Sequence, residues 1–156
     1  MKNIKKSAGI LLYRLTDGKL QFFLVHPGGP FWAKKDIGAW SIPKGEFTNE
    51  QPLEAAKREF AEETSFVMPE GDEKLIPLTP VTLKSGKIIY AWAALGDVAA
   101  AEIKSNVFNM EWPPKSGKTI SVPEVDKGGW FSASEAKEKI NIAQAALIDE
   151  AVQLIG

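Results

Sequence analysis

The chain has 156 residues, 25% of them charged, and a formal net charge of -1. That length suits a single domain spanning 1–156 with a sizeable core, and the near balance of charge leaves no global field to draw nucleic acid or an anionic membrane. With zero cysteines, disulfides, thiolate catalysis and cysteine-based zinc sites are excluded.

The start, Met1 to Lys6, is basic but leads into a strand pattern with no cleavable leader. No apolar run approaches the ~18 residues that a membrane span needs, so a soluble, cytoplasmic protein is the expectation. Ser7 to Leu15 and Leu20 to Val25 read as two strands joined by a turn at Thr16 to Lys19. Both are apolar and partly aromatic, as strands covered on both faces are. His26, the sole histidine, ends the second strand either as a packed, hydrogen-bonded residue or as a general base. Pro27-Gly-Gly-Pro30 makes a turn. The loop from Phe31 to Gly38 then sets Phe31 and Trp32 beside Lys34 and Lys35. Such residues stack bases and steer phosphates at nucleotide sites, and they equally suit an exposed loop anchored by one aromatic. Trp32 is the candidate substrate contact.

Ala39 to Ile42 reads as a short strand feeding Pro43-Lys44-Gly45, where proline fixes the entry and glycine lets backbone approach a ligand closely. The Lys44 ammonium can face a phosphate or simply be solvated. A helix follows, with Pro52 at its first position and Gln51 as a weak cap. Leu53, Ala56 and Phe60 form its buried stripe. The opposite face carries Glu59, Glu62 and Glu63, which at about 100° per residue share one arc. Like charges at i,i+4 cost a few tenths of a kcal/mol per pair, so such a face calls for a cation. Arg58 sits beside it and Lys57 further round, which gives partial relief. Mg²⁺ commonly binds through carboxylates plus substrate phosphates; a solvated acidic face is the other reading.

Beyond the helix, Lys74 to Lys84 and Lys87 to Leu95 read as a hairpin turning at Ser85-Gly86. Ala99 to Pro123 is polar, irregular and rich in Pro and Gly, and a loop of that length is often functional. Within it Phe108, Glu111 and Trp112 are candidates for substrate selection. Trp130-Phe131 reads as a last short strand. Two helices close the chain, opened by Ser132-x-x-Glu135 and Asn141-x-x-Gln144, which match the capping-box pattern. In the second, Ile142, Ala145, Leu147, Ile148, Val152 and Ile155 recur at helical spacing and should pack on a sheet.

The run from Gly45 to Phe66 resembles the Nudix box. Gly45, Glu50, Arg58, Glu59, Phe60, Glu62, Glu63 and Phe66 match its order. Two positions depart from it: four residues, one fewer than usual, separate Gly45 from Glu50, and Ser65 stands where the second glycine belongs. The resemblance implies an α/β fold, an α/β/α sandwich with a mixed central sheet, and a pyrophosphohydrolase using Mg²⁺ or Mn²⁺ on a small-molecule nucleotide. It implies metal ligation by Glu59, Glu62, Glu63 and the backbone carbonyl of Lys44, with Glu59 one candidate for the base. It also implies a salt bridge from Arg58 to Glu50 that braces the loop against the helix. Many members carry a further carboxylate just before the final strand; Glu124 is the first candidate for that ligand or base, and Glu46 the second. The substrate is a nucleoside triphosphate or another nucleoside diphosphate derivative. A dinucleoside polyphosphate or diphosphoinositol phosphate is the alternative, as is a non-catalytic nucleotide-binding module.

Overall fold

The structure is a computed structural model that describes residues 4–68 and 74–156. It is organised on the first strand, β1 (Lys6–Thr16), which turns into β2 (Lys19–Pro27) through Asp17 and Gly18. Both turn residues have positive φ, 53° and 74°, as a type I′ hairpin requires. Along Lys6 to Tyr13, β1 pairs in parallel with β6 (Ile88–Leu95). Its other edge is shared: Lys6 to Gly9 pair with β3 (Lys44–Phe47), and Tyr13 to Thr16 with β2. β9 (Val125–Ser132) adds antiparallel to β2, while β4 (Ile76–Pro77) and β5 (Val81–Thr82) cap β6. The result is a mixed sheet of order β4-β6-β1-β2-β9.

Each face of this sheet is covered. Ala8, Ile10 and Leu12 of β1, with Phe23 and Val25 of β2, pack under Ala55, Ala56 and Phe60 of α1 (Pro52–Thr64). The alternate residues Leu11, Tyr13, Phe22 and Leu24 meet α2 (Ala133–Lys139) and α3 (Ala145–Ile155) through Ala136, Leu147, Ile148 and Ala151. Period-two alternation on central strands thus makes two cores, one per face. This is the α/β/α sandwich expected from the sequence. Phe60 is 1% exposed, and its removal to alanine would cost about 3–5 kcal/mol. Among the described residues, no helix is long and apolar enough to cross a membrane.

Several elements differ from the sequence reading. Ala39 to Ile42 is not a ladder strand; it makes only single bridges, Val25 to Ser41 and Trp40 to Ile140. The strand begins later, at Lys44, because Pro43 has no N–H to give and interrupts the pairing. The segment Lys74 to Lys84 is cut into β4 and β5 for the same reason, with Pro77 and Pro80 in it. Ala99 to Pro123, read as irregular, contains a two-stranded hairpin of β7 (Val107–Glu111) and β8 (Thr119–Pro123). The last strand is eight residues long. Gly128 and Gly129 hide it in the sequence, yet a Cβ on either would stand 2.8 or 2.9 Å from the rings of Phe23 and Phe131.

At the C-terminal end, Ser132 caps α2 as its pattern suggested, accepting from Glu135 N at 3.2 Å. Asn141 accepts from Ala143 N and opens a 3-10 turn instead. Ile142 is therefore 88% exposed and no part of the core stripe. Gln144 closes no box; its amide oxygen accepts from the backbone N–H of Ile42 at 3.1 Å.

Candidate active site

The site forms where β3 runs under α1. Gly45 is the point of closest approach: a Cβ there would lie 2.0 Å from the carboxyl carbon of Glu59. Only glycine leaves Glu59 room beside the strand. One residue earlier, the Lys44 N–H donates to Glu63 Oε1 at 3.2 Å. The strand thus holds two of the three helix glutamates by backbone proximity.

Arg58 organises the rest. Its Nε and Nη2 clasp Glu50, with Nη2 to Oε1 at 2.6 Å and Nε to Oε2 at 2.9 Å, which ties the loop to the helix. Its Nη1 donates to Glu59 Oε1 at 2.8 Å and to Glu62 Oε2 at 3.2 Å. One planar guanidinium therefore serves three carboxylates, a task its fork geometry suits. Glu50 does most to hold the Arg58 pKa above its ordinary value.

The far end of α1 is tied to the bend at Glu124, between β8 and β9. Ser65, where the second glycine would stand, adopts φ 69°, ψ 9°, the left-handed conformation that glycine favours, and its hydroxyl donates to Lys104 O. Asn106 N donates to Glu62 O at 3.1 Å, Glu124 N to Asn106 O at 2.9 Å, and Gly28 N to Glu124 O at 3.0 Å. This string of backbone bonds runs from the last turns of α1 through Glu124 to the Pro27–Pro30 turn. It sets Glu124 against the glutamate face.

The electrostatics follow from that grouping. Burial pushes the Glu63 carboxyl up to about 8, against the pull of the Lys44 N–H and charge. Burial likewise raises Glu59, partly offset by Arg58, and raises Glu124 with a contribution from Glu62. Burial lowers Lys44, with Glu63 opposing. Glu124 in turn raises both Glu59 and Glu63. Among the described residues, no three of these carboxylates converge on one point as they stand; Glu59 and Glu62 face Arg58, and Glu63 faces Lys44. Their chemistry, hard carboxylate oxygens grouped where burial raises Glu59, Glu63 and Glu124, nonetheless fits Mg²⁺ or Mn²⁺. A cleft of ≈ 120 Å³ opens between Glu63 and Glu124, with Pro27, Ser41 and Lys44 on its walls.

The other sequence candidates lie differently. Glu46 pairs with Lys87 at 3.2 Å on the sheet edge. Glu111 accepts from Lys115 N at 2.8 Å and Gly117 N at 3.1 Å, so it closes its own hairpin turn. Trp112 is half-buried in that same turn, away from the cleft walls. Trp32 is partly buried against the core, whereas Phe31 is 54% exposed with Lys35 Nζ 3.7 Å above its ring. Of the two rings, Phe31 is thus the one more open to solvent. Sequence reasoning also passed over Ser41 on the cleft wall and the partners of His26. A buried histidine at a strand end was the available signal for the latter.

The family model described as NUDIX domain matches residues 5–151. No curated protein matches the sequence significantly. Among solved structures, a C. elegans Ap4A hydrolase in a binary complex superposes with a TM-score of 0.67 at 20% identity, covering 97% of this chain and 98% of that one. The NUDIX domain of Shewanella oneidensis NrtR, complexed with ADP ribose, gives 0.68 at 17% identity over 100% and 91%. A MutT protein from Methanosarcina mazei Go1 gives 0.62 at 18% over 98% and 96%. At these identities the structural likeness speaks for the fold, while the family match spans nearly the whole chain: the chain belongs to the NUDIX family of hydrolases.

Proposed function

We propose that this Nudix hydrolase is a metal-dependent pyrophosphohydrolase that cleaves a phosphoanhydride in a nucleoside triphosphate or another nucleoside diphosphate derivative. The observation that carries the reading is the grouping of Glu59, Glu62, Glu63 and Glu124, each of the buried ones raised toward the neutral form. Glu59, Glu62, Glu63 and the Lys44 carbonyl would hold Mg²⁺ or Mn²⁺, with Glu124 as a further ligand. When bound, the ion screens the clustered pyrophosphate charge and acidifies water.

The chain's own groups supply the rest. Glu124 lies across the cleft from Glu63, and its raised pKa suits it to take a proton from attacking water. Glu59 is the second candidate for that base. Arg58 orients Glu59 and Glu62 and keeps their loop in place. The Lys44 side chain lies at the cleft wall, where a phosphate oxygen would meet it. Phe31 and Lys35 offer a stacking face and a charge for a nucleotide base and its phosphates, with Trp32 behind them. Under this reading Glu111 and Trp112 shape the far hairpin rather than the reacting centre.

A dinucleoside polyphosphate is the second reading. It is favoured by the Ser41-Ile-Pro-Lys44-Gly45 entry and by the likeness to an Ap4A hydrolase. A panel of nucleoside triphosphates, dinucleoside polyphosphates, ADP-ribose and diphosphoinositol phosphates, with Mg²⁺ and monitored for phosphate, pyrophosphate or nucleotide release, tests both. Turnover of one class with strict metal dependence is expected. Tight binding with no turnover of any would replace the enzyme by a nucleotide-binding module.

A further inference from the structure

His26 is 1% exposed, and both ring nitrogens are engaged. Its Nε2 lies 2.6 Å from the carbonyl oxygen of Lys35. A carbonyl only accepts, so Nε2 carries a hydrogen and donates it. Its Nδ1 lies 2.9 Å from Asp126 Oδ1, within hydrogen-bond distance. The ring thus reaches two segments that no strand joins: the loop carrying Phe31, Trp32 and Lys35, and the start of β9, two residues beyond Glu124. Trp40 packs edge-on against the imidazole at 5.2 Å and fixes its plane.

The ladder shows why Asp126 can be there. His26 pairs with Lys127 and Pro27 with Val125, so Asp126 is the extra residue of a β-bulge. In an unbroken ladder, alternation would turn Asp126 to the face opposite Lys127 and its partner His26. The bulge re-aims it, as bulges beside active sites do. Immediately before the bulge, Glu124 gives its carbonyl to Gly28 N at 3.0 Å. The path of the chain at Glu124 is therefore set on one side by the Pro27–Pro30 turn and on the other by the Asp126 bulge.

We infer that His26 is a positioning residue that clamps together the two halves of the site, holding the Phe31–Lys35 loop through Nε2 and the Asp126 bulge, hence Glu124, through Nδ1. This rests on the reading of Glu124 and of the aromatic loop given above. The geometry separates the two functions by nitrogen, and two substitutions separate them in experiment. The amide of asparagine stands where Nδ1 does, so His26→Asn keeps the Asp126 bond and loses the loop. The amide of glutamine reaches the Nε2 position, so His26→Gln keeps the loop and loses the bulge.

Kinetics on the nucleotide identified by the panel, together with backbone hydrogen exchange of the metal-free protein, form the test. His26→Asn should raise KM about 10-fold, leave kcat within about twofold, and speed exchange in residues 31–35. His26→Gln should lower kcat about 10- to 100-fold, the usual effect of losing a supporting hydrogen bond, leave KM within about twofold, and speed exchange in residues 124–127. Asp126→Ala should behave as His26→Gln does, and Asp126→Asn, which retains a polar partner for Nδ1, should restore most of the rate. Identical kcat and KM changes in the two His26 variants, or exchange quickened equally across β1 and β6, would overturn the clamp and leave His26 a packing residue. The exchange result needs no substrate. It upholds or overturns the clamp even where a harmless Glu124→Gln shows that the base lies elsewhere.

Discussion

Replacing Glu63 by glutamine should stabilise the metal-free protein while ending both turnover and its response to Mg²⁺. Burial lifts the Glu63 carboxyl from its ordinary 4.5 to about 8. Since the folded value is the raised one, the native state binds more protons than the unfolded chain between these pH values. Its stability contribution is whole below about pH 4.5 and is lost as pH climbs through about 8. The gap of about 3.5, at 1.36 kcal/mol for each, sets an upper limit near 5 kcal/mol. Water at the cleft mouth reduces it, so roughly 1–3 kcal/mol is the expected gain for Glu63→Gln above pH 8, or about 2–12 °C in Tm for a chain of this size. Glutamine keeps an acceptor for the Lys44 N–H, so no bond need be lost. Thermal unfolding of both proteins in chelator, at about pH 5 and about pH 8.5, measures the difference, which should grow with pH. Added Mg²⁺ should raise the Tm of the parent protein and leave that of the variant nearly unmoved. A variant no more stable than its parent at the higher pH would refute the claim that burial penalises the charged carboxylate there.

Glu124→Gln should lower kcat by roughly 10²–10⁴-fold with little change in KM, since the amide keeps most contacts but cannot take the proton; if it is harmless while Glu59→Gln is crippled at saturating metal, the base is on the helix. Gly45→Ala puts a Cβ 2.0 Å from the Glu59 carboxyl carbon, so the carboxylate must swing aside and activity should collapse, with a stability loss of no more than about 1–3 kcal/mol; a fully active variant would mean that Glu59 is not needed where it stands. Ser65→Gly relieves a left-handed side chain worth roughly 1 kcal/mol but gives up the hydroxyl bond to Lys104 O, so stability should stay within about 1 kcal/mol and activity be unchanged. Denaturant melts decide that, and a larger loss would mean that the bond to Lys104 holds the helix end.

The sandwich was legible because its two signals are local. Alternation in β1 and β2 buries both faces, and the spacing of Ala56 and Phe60 marks the covering helix; neither depends on a distant partner. The elements that escaped notice are those whose sequence reflects their neighbours. Gly128 and Gly129 read as a break in a strand, yet they are there because the rings of Phe23 and Phe131 occupy the space a Cβ would need. The β7–β8 hairpin was lost behind its turn, where Pro113, Pro114 and Gly117 outweighed the short apolar alternations of Val107 to Met110 and Ile120 to Val122.

The site divides along the same line. Glu59, Glu62 and Glu63 could be grouped from helix geometry alone, since their spacing fixes their arc. That Arg58 would reach Glu62 follows from the same i,i+4 spacing; that Glu59 would lie against β3 does not, and Gly45 alone hints at that approach. Glu124 is a harder case still. It lies 61 positions beyond Glu63 in the chain, and it reaches the glutamate face through backbone bonds at Asn106 and Gly28 that any side chain could accompany. Backbone pairing leaves little trace in residue identity. The contact between His26 and Asp126 is legible only in the fold, whereas Glu124 could be singled out by its place ahead of the last strand.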